Sequence, residues 1–178
     1  MIVSETGMDG LLLIAPVVHT DARGTLFESF RQDGGDSDFQ YPVYMQDNFS
    51  RSQYGVLRGL HFQALHPQGK LVTCLSGEIF DAVVDLRIQS PTYGMVYSTR
   101  LSSSDYKQLV IPPGFAHGFC VLSEWADVHY KCTAFYQPED QAGICWDDPD
   151  LAIDWPIEKP LLSEKDAKLP RLRDLLLK

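Results

Sequence analysis

The feature that most constrains the fold is a series of short, β-rich segments that follow one another along most of the chain. Turn residues separate them, as at Gly24, at Ser76-Gly77 and at Pro112-Pro113-Gly114. Since little helical periodicity interrupts the series, the pattern predicts an all-β sandwich or barrel. The candidate strands are Leu11–Val18, Thr25–Phe30, Tyr41–Ser50, Val56–Phe62, Lys70–Leu75, Glu78–Arg87, Met95–Leu101, Gln108–Ile111, Gly118–Leu122, Ala126–Phe135 and Gly143–Cys145.

The C-terminal part of the chain departs from this pattern. Ser163 predicts the cap of a short helical turn, and the leucines within Arg171–Lys178 predict a second turn. The segment Asp33–Asp38 has the composition of a solvated loop. With no internal repeat and no low-complexity linker, the 178 residues predict a single domain over positions 1–178.

Composition narrows the class of protein. The formal net charge of −9 argues against a nucleic-acid partner and against an anionic membrane surface. No apolar run is long enough to span a bilayer, and the N-terminal residues are acidic, without the basic start of a signal peptide. The four cysteines show no CxxC spacing and indicate buried free thiols, so we expect a cytoplasmic protein.

The stretch GVLRGLHFQ, residues 55–63, places an arginine and a histidine in an otherwise apolar run. Alternate side chains of a strand share a face, so His61 lies on the same face as Gly59 and Gln63. A histidine in this position can be a metal ligand, a catalytic base or a core residue satisfied by a hydrogen bond. The neighbouring motifs help to decide between these roles.

Two motifs are similar to those of the cupins, β-barrel proteins whose motif residues bind a metal. IPPGFAHGF contains the second cupin motif, P-x-G-x2-H, and its histidine is His117. The first motif is altered, because Gln63 replaces its second histidine and Lys70 stands where its carboxylate belongs. A lysine repels a divalent cation, so we expect no metal site. The alternative in this class is a metal-dependent cupin oxygenase or isomerase that uses His61, His66 and His117.

Without a metal, the same residues form a cationic site in an acidic protein. The imidazoles of His61 and His117 are accompanied by the fixed charges of Arg58 and Lys70. Such a site predicts an anionic ligand, for example a phosphate or a developing enolate. A histidine among cations stays neutral near pH 7, which suits a general base. The combination is typical of proton removal next to a carbonyl group.

Longer stretches carry a more specific resemblance: DARGTLFESF, QDNFSRSQYGVLRGLHFQ, QGKLVTCLSGEIFDAVVDLRIQSPTYG, IPPGFAHGF, YKCTAFYQPED, WDDPDLAIDWP and LSEKDAKLP. In these the chain resembles the dTDP-4-dehydrorhamnose 3,5-epimerase family over nearly its whole length. The resemblance implies a cupin-type jelly-roll barrel, a double-stranded β-helix with a few short helices near the C-terminus. It also implies a homodimeric isomerase without a metal or organic cofactor. Its reaction would convert dTDP-4-dehydro-6-deoxy-D-glucose to dTDP-4-dehydro-L-rhamnose through an enolate.

The resemblance further implies a role for each matching residue. His61 would abstract the protons at C3 and C5 of the 4-keto sugar, and Asp166 would orient it. Lys70 would stabilise the enolate at O4, and Tyr130 would deliver a proton from the opposite face. Opposite-face delivery is required, because a proton returned to the same face changes no configuration. The positions that match nucleotide-sugar ligands are Arg23, Glu28, Gln46, Asn48, Arg58, His117, Tyr136, Gln141 and Lys165.

Two of these ligand positions carry further expectations. Tyr136 matches the aromatic residue on which the thymine base stacks. Gln141 departs from the family, whose members often carry a glutamate there, and its acidic neighbours Glu139 and Asp140 are candidates to replace it. The alternatives that stay open are an epimerase of C3 or C5 alone, an enzyme for a GDP-sugar, and a non-catalytic sugar-nucleotide-binding protein.

Overall fold

Extended structure dominates the computed structural model, which describes residues 1–35 and 39–175. Within these ranges there is no α-helix, so the expected all-β class is confirmed. None of the described helical segments is long and apolar enough to cross a bilayer. The strands are β1 (Ile2–Glu5), β2 (Leu12–Ala15), β3 (His19–Asp21), β4 (Gly24–Leu26), β5 (Gln46–Gln53), β6 (Leu57–Gln63), β7 (Lys70–Ser76), β8 (Glu78–Asp85), β9 (Val96–Ser102), β10 (Gln108–Ile111), β11 (Phe115–Val121), β12 (Trp125–Cys132) and β13 (Gln141–Gly143).

Two antiparallel sheets form the body of the fold. The six-stranded sheet has the order β1-β2-β10-β7-β12-β5, and the five-stranded sheet has the order β13-β6-β11-β8-β9. Chain neighbours such as β7 and β8, or β11 and β12, lie in different sheets, so the chain passes from one sheet to the other as in a jelly roll. The strands β3 and β4 form a separate hairpin.

The largest apolar cluster lies between the sheets. Val72 and Val128 enter it from the six-stranded sheet, and Val83 and Phe119 enter it from the five-stranded sheet. The two-residue period of a strand accounts for this, since every second side chain points inward. A second cluster, on the outer face of the five-stranded sheet, includes Leu151 and is packed by residues of the C-terminal segment.

Strand boundaries show where local pattern was sufficient. The bounds of Gln108–Ile111 agree with the prediction, and most other strands overlap their predicted ranges. The prediction for Tyr41–Ser50 was wrong in its first half, because β5 begins at Gln46. Tyr41 instead packs against Ile14 in a third cluster. The strands β1 and β3 were not predicted, because they are short and mostly exposed and therefore lack a core-facing alternation.

The predicted helical turns are present as 3-10 helices, Asp166–Lys168 and Leu172–Asp174. The residue that directly precedes the first is Lys165 and not Ser163, but the Oγ of Ser163 accepts the backbone N–H of Asp166 at 3.0 Å, so the serine bonds the start of this turn. The last residues of the predicted second turn, 176–178, lie outside the described residues, as do residues 36–38 of the predicted loop.

Candidate active site

Two adjoining clefts contain most of the predicted site residues. The first, of about 330 Å³, is lined by β5, β7 and β12 of one sheet and by β6 and β13 of the other. The second, of about 440 Å³, is lined by Arg58, Lys165 and Asp166 among others. His61 and Gln141 line both clefts, so the clefts meet at these two side chains. An elongated ligand can therefore occupy both clefts and pass His61.

His61 is held by a carboxylate from the C-terminal segment. Its Nε2 lies 2.6 Å from Oδ1 of Asp166, whose side chain is only 6% exposed. Burial raises the pKa of Asp166, but the hydrogen bond and charge of His61 and the backbone N–H of Gly59 outweigh it, so this pKa falls below its usual value. Asp166 is therefore ionised at neutral pH and can only accept, so Nε2 of His61 is the donor of this bond and Nδ1 is the ring nitrogen left to act on a ligand.

Two glycines, Gly59 and Gly143, allow the backbone around His61 to lie in close contact with the adjacent backbone. Gly59 has a φ of +123°, and a Cβ there would lie 2.5 Å from Cα of Gly118 on β11. Gly143, the Cα partner of His61 on β13, would place a Cβ 2.5 Å from the carbonyl oxygen of Leu60. Neither position can accept a side chain unless the backbone moves.

Lys70 and Tyr130 approach the first cleft from the sheet opposite to that of His61. Burial lowers the pKa of Lys70, while Cys132 and Asp81 act in the other direction. Burial also raises the pKa of Tyr130, which keeps its phenol protonated at neutral pH. The cleft thus has a histidine on one side and a cationic and a phenolic group on the other.

Hydrogen bonds connect the polar side chains at the rim of the first cleft. Gln46 donates to Oδ1 of Asn48 at 3.0 Å and accepts the backbone N–H of Tyr136 at 2.8 Å. The Oε1 of Gln141 accepts from the hydroxyl of Tyr136 and from the ammonium of Lys165, both at 2.7 Å. Because an ammonium is only a donor, the amide oxygen of Gln141 must face Lys165. Gln141 therefore joins the two clefts chemically as well as in space.

His117, a predicted ligand residue, is buried and lines neither cleft. It is the Cα partner of His61 on β11, and its Nε2 lies 2.8 Å from Oδ2 of Asp81. Burial lowers the pKa of His117, and the charge of Asp81 opposes this shift. Asp81 was not predicted as a site residue, although a carboxylate on the same face of an apolar strand as Ile79 and Val83 was a usable signal.

Arg23 and Glu28 lie outside both clefts. Arg23, in the β3–β4 hairpin, forms an exposed ion pair with Asp21, and Glu28 forms one with Arg31. Exposed pairs of this kind contribute little to stability. Within a single copy of the chain these two predicted ligands are therefore separated from the other site residues.

The residues considered for a metal site, and Asp140, considered as a replacement for Gln141, have other hydrogen-bond partners. The amide of Gln63 bonds the carbonyl oxygens of His66 and Phe135 and the backbone N–H of Gln137. Asp140 is buried and accepts the backbone N–H groups of residues 64–66, and His66 bonds it as well, so Asp140 is not free to replace Gln141 as a ligand. The part of the chain that the structure describes contains no group of three metal-ligating side chains close enough to share an ion.

Comparison with known proteins identifies the family. The profile of dTDP-4-dehydrorhamnose 3,5-epimerase matches residues 5–174. Two relatives described by this name are the proteins of Pseudomonas aeruginosa, 51% identical over 89% of this chain and 88% of the relative, and of Methanothermobacter thermautotrophicus, 49% identical over 96% and 94%. The chain belongs to the dTDP-4-dehydrorhamnose 3,5-epimerase family.

A solved structure of this family from Legionella pneumophila has the same fold. It is 47% identical to this chain, superposes with a TM-score of 0.91, and covers 98% of this chain and 94% of its own. That protein was crystallised in complex with dTDP-4-keto-L-rhamnose. The predictions of the family, of the cupin-type fold and of an isomerase with dTDP-4-dehydrorhamnose 3,5-epimerase activity are confirmed. The roles of individual residues stay predictions.

Proposed function

We propose that this chain epimerises C3 and C5 of dTDP-4-dehydro-6-deoxy-D-glucose with His61 as the base and Tyr130 as the acid. The product would be dTDP-4-dehydro-L-rhamnose. The observation that carries this assignment is the approach of His61 and Tyr130 to one cleft from opposite sheets. A ring bound between them can lose a proton to one side and gain one from the other, which inverts the carbon. Membership of the family supports the same reaction.

The first half of the reaction removes a proton next to the ketone. Nδ1 of His61 takes the proton from C3, and the electrons of the broken C–H bond form the C3=C4 double bond of an enolate. Asp166, which accepts from Nε2, stabilises the imidazolium that results. The ammonium of Lys70 donates to O4, where the negative charge develops.

The second half returns a proton from the other face. The hydroxyl of Tyr130 protonates C3 while the enolate electrons reform the C4 carbonyl. The phenolate then regains a proton from solvent, and the imidazolium of His61 releases to solvent the proton that it took. Repetition at C5, with the ring reoriented, completes the second inversion. The scheme uses only side chains of this chain, and Lys70 supplies the charge that a metal ion supplies in other enzymes.

Binding of the nucleotide would use the second cleft and the rim. Arg58 and Lys165 suit the diphosphate, because guanidinium and ammonium groups are the usual partners of phosphate oxygens. Tyr136 is half exposed beside the first cleft and suits stacking on the thymine base. Polar contacts would come from Gln46, Asn48 and Gln141. His117, the cross-strand neighbour of His61, would act on the ligand through His61.

We also propose a homodimer in which a second copy supplies Arg23 and Glu28. The support is their position outside both clefts, together with the exposure of every residue of the β3–β4 hairpin, including Leu26 at 75%. Light scattering should give twice the mass of 20.1 kDa. Mixing inactive Arg23→Ala and His61→Ala proteins should restore activity, since one of the two sites in a mixed dimer is then intact. A monomeric active enzyme would exclude this arrangement.

The cysteines support a cytoplasmic location. All four are free, and three of them are buried, as expected for a protein that stays in a reducing compartment.

Proton NMR of dTDP-4-dehydro-6-deoxy-D-glucose in D₂O tests the reaction. Wild-type enzyme should introduce deuterium at C3 and C5, and His61→Asn should introduce it at neither. Tyr130→Phe should still permit exchange but should slow the release of epimerised product. Deuterium at one carbon alone would indicate a single-centre epimerase. Unchanged exchange in the His61 variant would exclude His61 as the base.

A further inference from the structure

Asp81, on β8, is a buried carboxylate for which the reaction scheme has so far no use. It is completely inaccessible, and its Oδ2 lies 2.8 Å from Nε2 of His117. Its other oxygen, Oδ1, is also buried and accepts no hydrogen bond from the described residues. A buried carboxylate with one unpartnered oxygen costs stability, so its presence among apolar side chains calls for an electrostatic reason.

His117 does not neutralise this carboxylate. Burial lowers the pKa of His117, and the nearby charges of Lys70 and His61 lower it further, against the opposing effect of Asp81. A neutral His117 donates its Nε2 hydrogen to Oδ2 of Asp81 and brings no positive charge to the carboxylate. The hydrogen bond therefore fixes the position of the carboxylate.

Lys70 is the cation that this charge can act on. Among the residues that the structure describes, no carboxylate lies within 4.0 Å of its ammonium, and no hydrogen bond holds it. Burial lowers the pKa of Lys70, and two acidic groups, Cys132 on β12 and Asp81 on β8, oppose that shift. Burial raises the pKa of the Cys132 thiol, so Cys132 is neutral at pH 7. Geometry favours Asp81 as the partner of Lys70. By strand alternation Lys70 shares a face of β7 with Val72, and Asp81 shares a face of β8 with Ile79 and Val83, so both side chains enter the interior between the two sheets.

We propose that Asp81, held in place by His117, is a positioning residue that keeps Lys70 protonated for the stabilisation of the enolate. The inference rests on the proposed function, because it assigns Asp81 a part in the same reaction. A neutral amine at position 70 would offer no positive charge to O4. The second histidine–carboxylate pair thus serves the lysine, whereas the first, formed by His61 and Asp166, serves the base.

Asp81→Asn separates charge from shape. The amide oxygen can still accept from His117, and the side-chain volume hardly changes, so the variant should fold with a melting temperature close to that of the wild type. The expected result is a loss of kcat/KM at pH 8 and a shift of the alkaline limb of the pH profile to lower pH. The shift should be about one pH unit or more, the size expected when an opposite charge near a buried group is removed. The direction follows because Asp81 favours the charged form of Lys70.

The other titratable side chains around Lys70 are unchanged in this variant: Cys132, Tyr130 and His117, and, lining the same cleft, His61 and Tyr136. Asp127→Asn is the matched control. It removes a carboxylate of β12, the strand next to β7, that is paired with Arg51 of β5, and it should leave the alkaline limb of the pH profile unchanged. An unmoved limb in folded Asp81→Asn would overturn the inference. So would a wild-type Lys70 found neutral at pH 7 by nitrogen NMR of its side chain, a measurement that needs no variant.

The proposed function fails separately from this inference. If the wild type introduces no deuterium at C3 or C5, the proposed reaction is wrong and the inference falls with it. If the wild type exchanges and the Asp81→Asn profile is unshifted, only the role of Asp81 is wrong. In a Lys70→Met background, Asp81→Asn should cause no further loss of rate, because the charge then has nothing to act on.

Discussion

Replacement of Asp166 by asparagine tests the His61–Asp166 pair with little change of shape. The two side chains are 2.6 Å apart, and the carboxylate is 6% exposed. When His61 takes a proton, this bond becomes one between two charges, and a hydrogen bond to a charged group contributes about 1.5–3 kcal/mol. Since each 1.36 kcal/mol is a factor of ten in rate, kcat should fall about 10- to 150-fold. If the amide nitrogen turned towards the ring, Nδ1 would carry the proton and the loss would be larger.

The assay measures the rate of deuterium entry at C3 and C5 by NMR, and KM is determined alongside it. KM should change little, because Asp166 acts through His61 on the transition state and not on bound substrate. Asp154→Asn, which changes an exposed carboxylate of the C-terminal segment, is the matched control and should behave as wild type. In the His61→Asn background, Asp166→Asn should cause no further loss.

The reasoning is refuted if folded Asp166→Asn exchanges deuterium at the wild-type rate. An equal loss in the single Asp166 variant and on top of His61→Asn would also refute it, because the two residues would then act independently.

Three further perturbations have expected outcomes. Gly59→Ala places a Cβ 2.5 Å from Cα of Gly118 at a φ of +123°, so urea denaturation should show a loss of about 3 kcal/mol in the free energy of unfolding. Gln141→Leu removes the acceptor that holds Lys165, so KM should rise about tenfold in steady-state kinetics, with a smaller change in kcat. Burial raises the pKa of Asp85, but hydrogen bonds, above all from Arg87, outweigh it and hold this pKa well below its usual range. The stabilisation by Asp85 is therefore complete above about pH 4 and is lost at lower pH, so Asp85→Asn should lower the melting temperature at pH 7 and flatten its decline in acid.

Each of these outcomes has a comparison that can contradict it. Gly24→Ala, at a positive φ with no atom near the added Cβ, should cost less than Gly59→Ala, and an equal cost would assign the effect to φ alone. Gln89→Leu changes an exposed glutamine away from the clefts, and a similar rise in KM there would remove the argument for Gln141. A melting temperature of Asp85→Asn that declines in acid as steeply as that of the wild type would exclude Asp85 as the titrating group.

Much of the fold could be predicted because the signal is local. A strand buried on one face must alternate apolar and polar residues, and Gly or Pro is favoured where the chain turns. The segments around β6 to β12 can therefore be predicted without knowing which strands they pair with. The pairing of Arg87 with Asp85 is local in the same sense, since the two residues are two positions apart in sequence. Tyr41 was misread because an aromatic residue before a strand looks the same whether it continues the strand or covers a sheet.

The candidate site was predictable only as a set of residues. His61, Lys70, Tyr130 and Asp166 were named from the resemblance, and the structure brings the first three to one cleft and joins Asp166 to His61 across 105 positions of sequence. Which of the remaining ligand residues would be near them was not predictable. His117 proved to be buried against a carboxylate, and Arg23 proved to lie in an exposed hairpin, because those placements depend on sheet packing.

The sequence by itself determined the all-β class, the family and the chemical types of the site residues. All three follow from the local alternation of apolar and polar residues and from contiguous motifs. Only the tertiary structure decided which groups meet: that His61 and Tyr130 stand on opposing sheets, and that Asp81 bonds His117 while its other oxygen accepts no hydrogen bond from the described residues. The physical reason is strand register. A shift of one residue would turn each of these side chains to the other face of its sheet, and register is set by the packing of both sheets together.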